Sequence, residues 1–499
     1  MSTAGPLALG SRRELFIDAA LIERLEGRAS RRLHHPVPRE IVLRHDEPWE
    51  GTGSGYHSVF RDGDRYRMYY KAFNIQVVPG QVVAERTAHR FTCYAESVDG
   101  IHWVKPRLGL VDFRGSRANN IVIASGRHGA IDVDAAHPAV FRDANPAAPA
   151  AARYKAVFRS DGPVGIVAMQ SPDGLQWSPL GDGPFITAGA FDSQNLAFWD
   201  EAHGCYRAYW RSFPGGAVAQ GVWQPEGPRG ISTATSPDFR HWGPPQALVY
   251  EGSPLPEELY VNQIKPYHRA PHLLIGLPVR YVERPWSDSL RALPDRAHRE
   301  FRSSAQRRYG EALTETLLMC SRDGVTFTRW PEGFLRPGPE RSGTWNYGHQ
   351  YAAWHLVETA SDLGPDAPPE LSLYALEHYW LGQGSVLRRY TLRLDGFVSL
   401  HAPMAGGGAV TPPITFTGRE LRLNFATGVA GEVRVELQAT DGTPLPGYAL
   451  AACEPIFGDA VDRTVTWKAG AGVAALVGRP VRLRFHLSDA EVFAFRFAP

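Results

Sequence analysis

A short cassette that recurs along the chain constrains its fold more than any other feature. Four copies are plain: Ser97-Val-Asp99-Gly-Ile-His-Trp103, Ser171-Pro-Asp173-Gly-Leu-Gln-Trp177, Ser236-Pro-Asp238-Phe-Arg-His-Trp242 and Ser321-Arg-Asp323-Gly-Val-Thr-Phe327. A degenerate fifth, Leu394-Asp395-Gly396-Phe397, follows. The aspartate accepts backbone N–H bonds in a tight turn, and the glycine permits a positive φ. The aromatic is then placed to pack between neighbouring sheets. A unit this small cannot bury its own apolar face, so repeated units imply sheets packed on one another.

Two alternating apolar runs precede each cassette and read as strands. In the first unit they are His57–Phe60 and Tyr66–Tyr70, joined by the turn Arg61-Asp-Gly-Asp64. The second unit has Pro138–Phe141 and Tyr154–Phe158, and the third Asn195–Trp199 and Tyr206–Trp210. The fourth runs Asn262–Lys265 to His272–Gly276, and the fifth Tyr351–Trp354 to Leu371–Ala375. The spacing predicts an all-β chain, a five-bladed β-propeller followed by a C-terminal β-sandwich. Residues 1–45 are expected to pack on the propeller or fill a blade edge, 46–402 to form the five blades, and 403–499 the sandwich. Residues 284–312, rich in arginine, read as an insertion in the fourth unit with a short helix. Its arginine cluster at 296–308 is expected to be a solvated helix face, with binding of an anionic group on a substrate as the alternative.

Composition removes several classes of function. The 53 basic residues nearly balance 52 acidic ones, for a net charge of +1. No broad basic field exists for nucleic acid, and a neutral substrate fits the balance. The four cysteines, Cys93, Cys205, Cys320 and Cys453, form no CxxC pair, so neither a zinc site nor a disulfide framework is expected. No stretch approaches the roughly 18 apolar residues of a membrane span. Residues 1–13 lack a basic start and apolar core, so a cytoplasmic protein is expected.

With these motifs in view, the chain resembles the five-bladed glycoside hydrolases of families 32, 43 and 68. The resemblance is carried by Ser236-Pro-Asp238-Phe-Arg-His-Trp242 and by the turn Arg61-Asp-Gly-Asp-Arg-Tyr66. Glu14-Leu-Phe-Ile-Asp18, Arg336-Pro-Gly-Pro-Glu340 and Leu394-Asp-Gly-Phe-Val-Ser399 resemble bacterial family-32-like proteins. The likeness implies a glycosidase acting on a small oligosaccharide or glycoside; no cofactor is expected, and a structural metal in the channel is left open. It departs at one point. Gly55-Tyr-His57-Ser stands where family 32 carries its nucleophile motif, and neither the Arg-Asp-Pro nor the Glu-Cys motif of that family occurs. The family's catalytic set is therefore not carried over, and a carbohydrate-binding propeller that has lost the usual acids is the alternative.

Glycoside hydrolysis needs two carboxyl groups flanking the bond, one protonated and one ionised. Carboxylates just before or within innermost strands are the candidates. Asp192 leads, directly before an innermost strand and beside Gln194 and Asn195. Glu258, before Tyr260 and Asn262, is the candidate general acid; Glu50 and Glu377 follow, and Asp134 trails. His57, His137 and His349 fall near innermost strands and are read as sugar contacts, as are Trp345 and Tyr379 by stacking. None of the three histidines has an HxxxH or HxH spacing that would suggest a metal.

Overall fold

The computed structural model describes residues 5–84, 89–219, 222–252, 257–468, 470 and 472–499. Five small sheets follow one another along the chain. The first orders Trp103–Val104, Arg90–Ser97, Arg65–Phe73 and Gly55–Asp62, with Ile121–Ala124 also on Arg90–Ser97. The second runs Gly126–His128, Ile131–Arg142, Tyr154–Asp161, Val164–Ser171 and Ser178–Pro179; the third Leu196–Asp200, Cys205–Ser212, Gly230–Ser236 and Gln246–Ala247. The fourth runs Lys265–Tyr267, Ala270–Gly276, Met319–Ser321 and Thr326–Arg329, with Val249–Glu251 on its edge. The fifth runs Val357–Thr359, Glu370–Glu377 and Val386–Arg393, and its outer strand is Val37–Arg44 from the start of the sequence.

The cassettes make the turns that their residue types dictate. Ser97 Oγ accepts from the amides of Asp99 and Gly100, and Asp99 Oδ1 accepts from those of Ile101 and His102. Trp103 then donates its indole N–H back to Gly100 O at 3.1 Å, and Trp177 does the same to Gly174 O. The cassette carbonyls also tie sheet to sheet. Tyr69 of the first sheet donates to Gly174 O of the second, Tyr209 of the third to Gly324 O of the fourth, and Tyr374 of the fifth to Gly100 O of the first. The last of these links the fifth sheet back to the first. Glycine is required at 174 twice over: φ is +80°, and a Cβ there would overlap the Tyr69 hydroxyl.

The C-terminal sheet is built on two long strands, Glu420–Gln438 and Arg482–Ala498, paired along most of their length with a shift of register between Thr427 and Glu432. Their alternation buries Leu421, Leu423, Phe425, Val433, Val435 and Leu437 on one face. The N-terminal segment is woven into the same sheet. Arg13–Leu15 pairs with Arg482–Ala498, Arg24–Gly27 with Gly407–Val410, and Ser30–Leu33 with Val398–Ala402. Asp395, fully buried at the junction, accepts from Arg13, Arg269, Tyr267 and Asn424.

The insertion forms three short helices, Asp288–Ala292, Arg296–Ala305 and Arg308–Glu311. The expected solvated arginine face is corrected here. Arg299 and Arg302 are fully buried, Arg299 donating to the carbonyls of Trp345 and Gly310 and Arg302 lying 5.6 Å from the Trp380 ring. Their alkyl stems and flat guanidinium groups make such burial feasible against carbonyls and aromatic faces. Among the described residues, no helix is long and apolar enough to cross a membrane.

Candidate functional site

One end of the five sheets gathers the polar chemistry. Asp192 shortly precedes the strand Leu196–Asp200, and its side chain is 66% exposed. Its carboxylate meets His137 Nε2 at 3.2 Å, Arg159 at 3.1 Å and Arg211 at 3.9 Å. Crowding by the surrounding side chains works to raise its pKa. The hydrogen bond from His137 and the charges of His137, Arg211 and Arg159 outweigh that and hold it far below the usual carboxylate range. Asp192 is thereby favoured in its ionised form.

His137 ties this carboxylate to a second one. Its Nδ1 lies 2.7 Å from Asp134 Oδ2, and Asp134 also pairs with Arg90. Asp134 is nearly fully buried; burial opposes its ionisation, but His137, Arg90 and the Ala136 amide bring its pKa down to about 2. An ionised carboxylate only accepts, so His137 serves both partners at once only when both ring nitrogens carry protons.

Tyrosines wall the same region. Tyr379 stacks on Tyr351 with centroids 6.0 Å apart, and Tyr260 lies 5.5 Å from Tyr351 and shares a hydroxyl–hydroxyl bond of 2.9 Å with Tyr347. Lys71 sits among them, its ammonium 4.4 Å from the Tyr56 ring and 3.4 Å from the Tyr379 hydroxyl. Burial depresses the Lys71 pKa to about 8, against the pull of Asp192 and Asp134.

The repeat explains where these cations stand. Tyr66, Tyr154 and Tyr206 pair with Ser97, Ser171 and Ser236, the first residue of each cassette. Five residues after each tyrosine come Lys71, Arg159 and Arg211, at one register position in three sheets. Neither these cations nor Tyr56 and Tyr260 were singled out by looking for acids. The signal that finds them is a basic residue ending an apolar strand in three successive units.

The other candidates are distributed differently. Glu258 is 37% exposed and salt-bridged to Arg229, whose guanidinium lies 5.5 Å from the Tyr260 ring; Arg211 lies 5.4 Å from the same ring. Tyr260 thus links Glu258 to Asp192 through their two arginines. Glu50 is fully buried, accepting from Tyr70 at 2.5 Å, Lys105 at 2.7 Å and the Glu47 amide; burial raises its pKa despite Lys105. Glu377 is also fully buried, clamped between Arg341 and Arg388. Burial works to raise its pKa, and those two arginines override it and lower it to about 2.

The remaining residues hold the scaffold. His57 shares a 3.0 Å bond with His45, and burial keeps both imidazoles neutral. His349 is buried, its pKa down to about 3, and its Nδ1 accepts from the Trp345 amide. Gln194 donates to the carbonyls of Tyr56 and Pro138 and accepts from Gln263, stitching three sheets together. Asn195 donates to Phe191 O and Ser193 O, and buried Asn262 accepts from the Ile264 amide. The Trp345 indole donates to Gly338 O, and the ring lies with Arg280, Arg284 and Pro337 around a separate pocket. Among the described residues, no group of three His, Cys, Asp or Glu side chains could hold a metal ion.

No protein-family model matches the chain, and no curated protein does. Solved structures to which it is similar include a complex of BT0996 with RGII, with a TM-score of 0.43 and 13% identity over 72% of this protein and 92% of that one. An N-acetylgalactosamine deacetylase from F. plautii in complex with blood group B trisaccharide gives 0.38 and 14%, over 78% and 93%. A GH32 β-fructofuranosidase from Bombyx mori gives 0.34 and 10%, over 94% and 95%.

Proposed function

We propose that this chain is a glycoside hydrolase, or a transglycosylating relative, that acts on a small oligosaccharide or glycoside. In this reading the five sheets are the blades of a five-bladed β-propeller, and the sheet after residue 403 is a β-sandwich joined by the N-terminal segment. The substrate enters at the end that carries Asp192.

The observation that carries the proposal is Asp192 itself: an exposed carboxylate, kept ionised by three positive or hydrogen-bonding neighbours, beside a wall of tyrosines. An ionised acid so held is suited to stabilise an oxocarbenium ion or to act as nucleophile, and is too weakly basic to serve as general base. Asp134 acts through His137, fixing the ring that touches Asp192. Glu258 supplies the second carboxyl group: on giving up its bond to Arg229 it takes a proton from solvent and passes it to the leaving oxygen. Tyrosine faces bind the apolar faces of sugar rings while their hydroxyls meet the edges.

The alternative, a non-catalytic sugar-binding propeller, gains from Glu50 and Glu377, two of the four candidate acids, being sealed in closed networks. A hydrolysis screen against aryl glycosides and short oligosaccharides, with Asp192→Asn and Glu258→Gln alongside, separates the two. Turnover lost by about 10²- to 10⁴-fold in both variants supports the hydrolase. Sugar binding by calorimetry without turnover supports the binding module.

A further inference from the structure

Lys71 stands out because, among the described residues, no carboxylate lies within ion-pair distance of it. Its side chain is only 5% exposed, and its ammonium faces the rings of Tyr56, Phe73 and Tyr379 with one long hydrogen bond to the Tyr379 hydroxyl. The other cations around Asp192 and Glu258 each have a partner. Arg90 pairs with Asp134, Arg159 with Asp161 and Asp192, Arg211 with Asp192, and Arg229 with Glu258. Five lysine and arginine side chains thus face four carboxylates, two of which also share His137, and Lys71 is the one without an ion-pair partner.

A second unpaired cation lies behind the same tyrosines. Arg302 is fully buried, none of its three guanidinium nitrogens has a hydrogen-bond partner among the described residues, and its charge acts on Tyr347 and Tyr379. Buried cations without counterions are costly unless something else supplies the negative charge. Aromatic faces supply part of it through their quadrupoles but not a full charge. Burial also leaves Lys71 easier to deprotonate than an ordinary lysine, a penalty that an arriving anion would remove.

We infer that the sugar this site accepts carries an anionic group, a carboxylate or a sulfate ester, and that Lys71 receives it. The inference rests on the reading of the site as carbohydrate-directed and narrows it to acidic sugars. The near-zero net charge of the whole protein is no obstacle, because the surplus is local. Lys71 is a specificity residue here, while Asp192 keeps its role at the reacting centre.

The test is calorimetric titration of the full-length protein with glucuronate, galacturonate and galactose 6-sulfate, each against glucose and galactose. The expected result is at least about ten-fold tighter binding of an acidic sugar, and the arm that binds tells carboxylate from sulfate. Lys71→Met is expected to erase that preference, and Lys71→Arg to retain most of it. The wild-type comparison needs no variant to fold. Neutral sugars binding as well as acidic ones would overturn the inference and leave the carbohydrate reading standing. A preference that survives Lys71→Met in a folded variant would overturn the assignment to Lys71. Failure of every sugar to bind would remove both readings.

Discussion

His137 Nε2 lies 3.2 Å from Asp192 Oδ1, across 55 residues of sequence and from one sheet to the next. The contact orients the most exposed carboxylate among the candidates. Its effect on chemistry is separable from its effect on folding, because Asp134 holds the same imidazole from the other side.

His137→Gln is therefore expected to lower turnover by about 10- to 100-fold while sugar affinity changes little, as second-sphere orienting groups do. Asp134→Asn is expected to act in the same direction, since an amide in place of the carboxylate loosens the ring that His137 presents. Steady-state kinetics with a substrate identified by the screen check both. A change confined to KM would remove His137 from the reacting centre.

The all-β character and the cassette turns were legible because their signals are local. A Ser-x-Asp-Gly turn closes through bonds among a few consecutive residues, so each cassette reports its own geometry. What the sequence hid was carried by distant partners. That residues 1–45 pack on the repeat or fill a sheet edge is expected from the sequence; that the edge is the fifth sheet's, through Val37–Arg44 on Val386–Arg393, no local pattern says. Glu50 and Glu377 look like Asp192 in sequence; only Lys105 in one case, and Arg341 with Arg388 in the other, reveal them as buried ion pairs. Lys71, Arg159 and Arg211 were within reach, since their register position repeats, but a search for acids passes over them.

Glu377 supports the fold, and its variants should say so. Glu377 is fully buried, but Arg388 is 18% and Arg341 41% exposed, so water screens part of the loss and Glu377→Gln is expected to cost no more than about 3 kcal/mol. Its pKa falls from 4.5 to about 2 on folding, so its contribution of about 3 kcal/mol is whole above pH 4.5 and fades as pH drops toward 2. Denaturant unfolding at pH 7 and pH 3 should show the variant's deficit shrinking at the lower pH. An undiminished deficit would assign the loss to packing.

Asp395 is the corresponding joint between the sheets of the repeat and the C-terminal sheet. It accepts from Arg13, Arg269, Tyr267 and Asn424, with no exposure to water. Asp395→Ala is expected to cost about 3–5 kcal/mol by stranding those donors. Calorimetry should then show one lowered transition, or two where the wild type has one. An unchanged melting profile would mean that the strand pairing of the N-terminal segment suffices.

Lys71 makes the opposite prediction. In the unfolded state it holds its proton up to pH 10.5, whereas in the fold burial brings that point down to about 8. Asp192 and Asp134 pull it upward, Arg90 pushes it down, and the rings of Tyr56, Phe73 and Tyr379 cover it. A depressed folded pKa means that stability from this residue is whole above pH 10.5 and is lost as pH falls through 8. At neutral pH the charged ammonium therefore opposes folding by as much as about 3 kcal/mol. Lys71→Met, which keeps the stem and removes the charge, is expected to stabilise the ligand-free protein at pH 7, and the gain should vanish above pH 10.5. Urea unfolding at the two pH values measures it. A residue kept for the fold would destabilise when replaced; one whose charge is kept at the fold's expense is kept for what it binds.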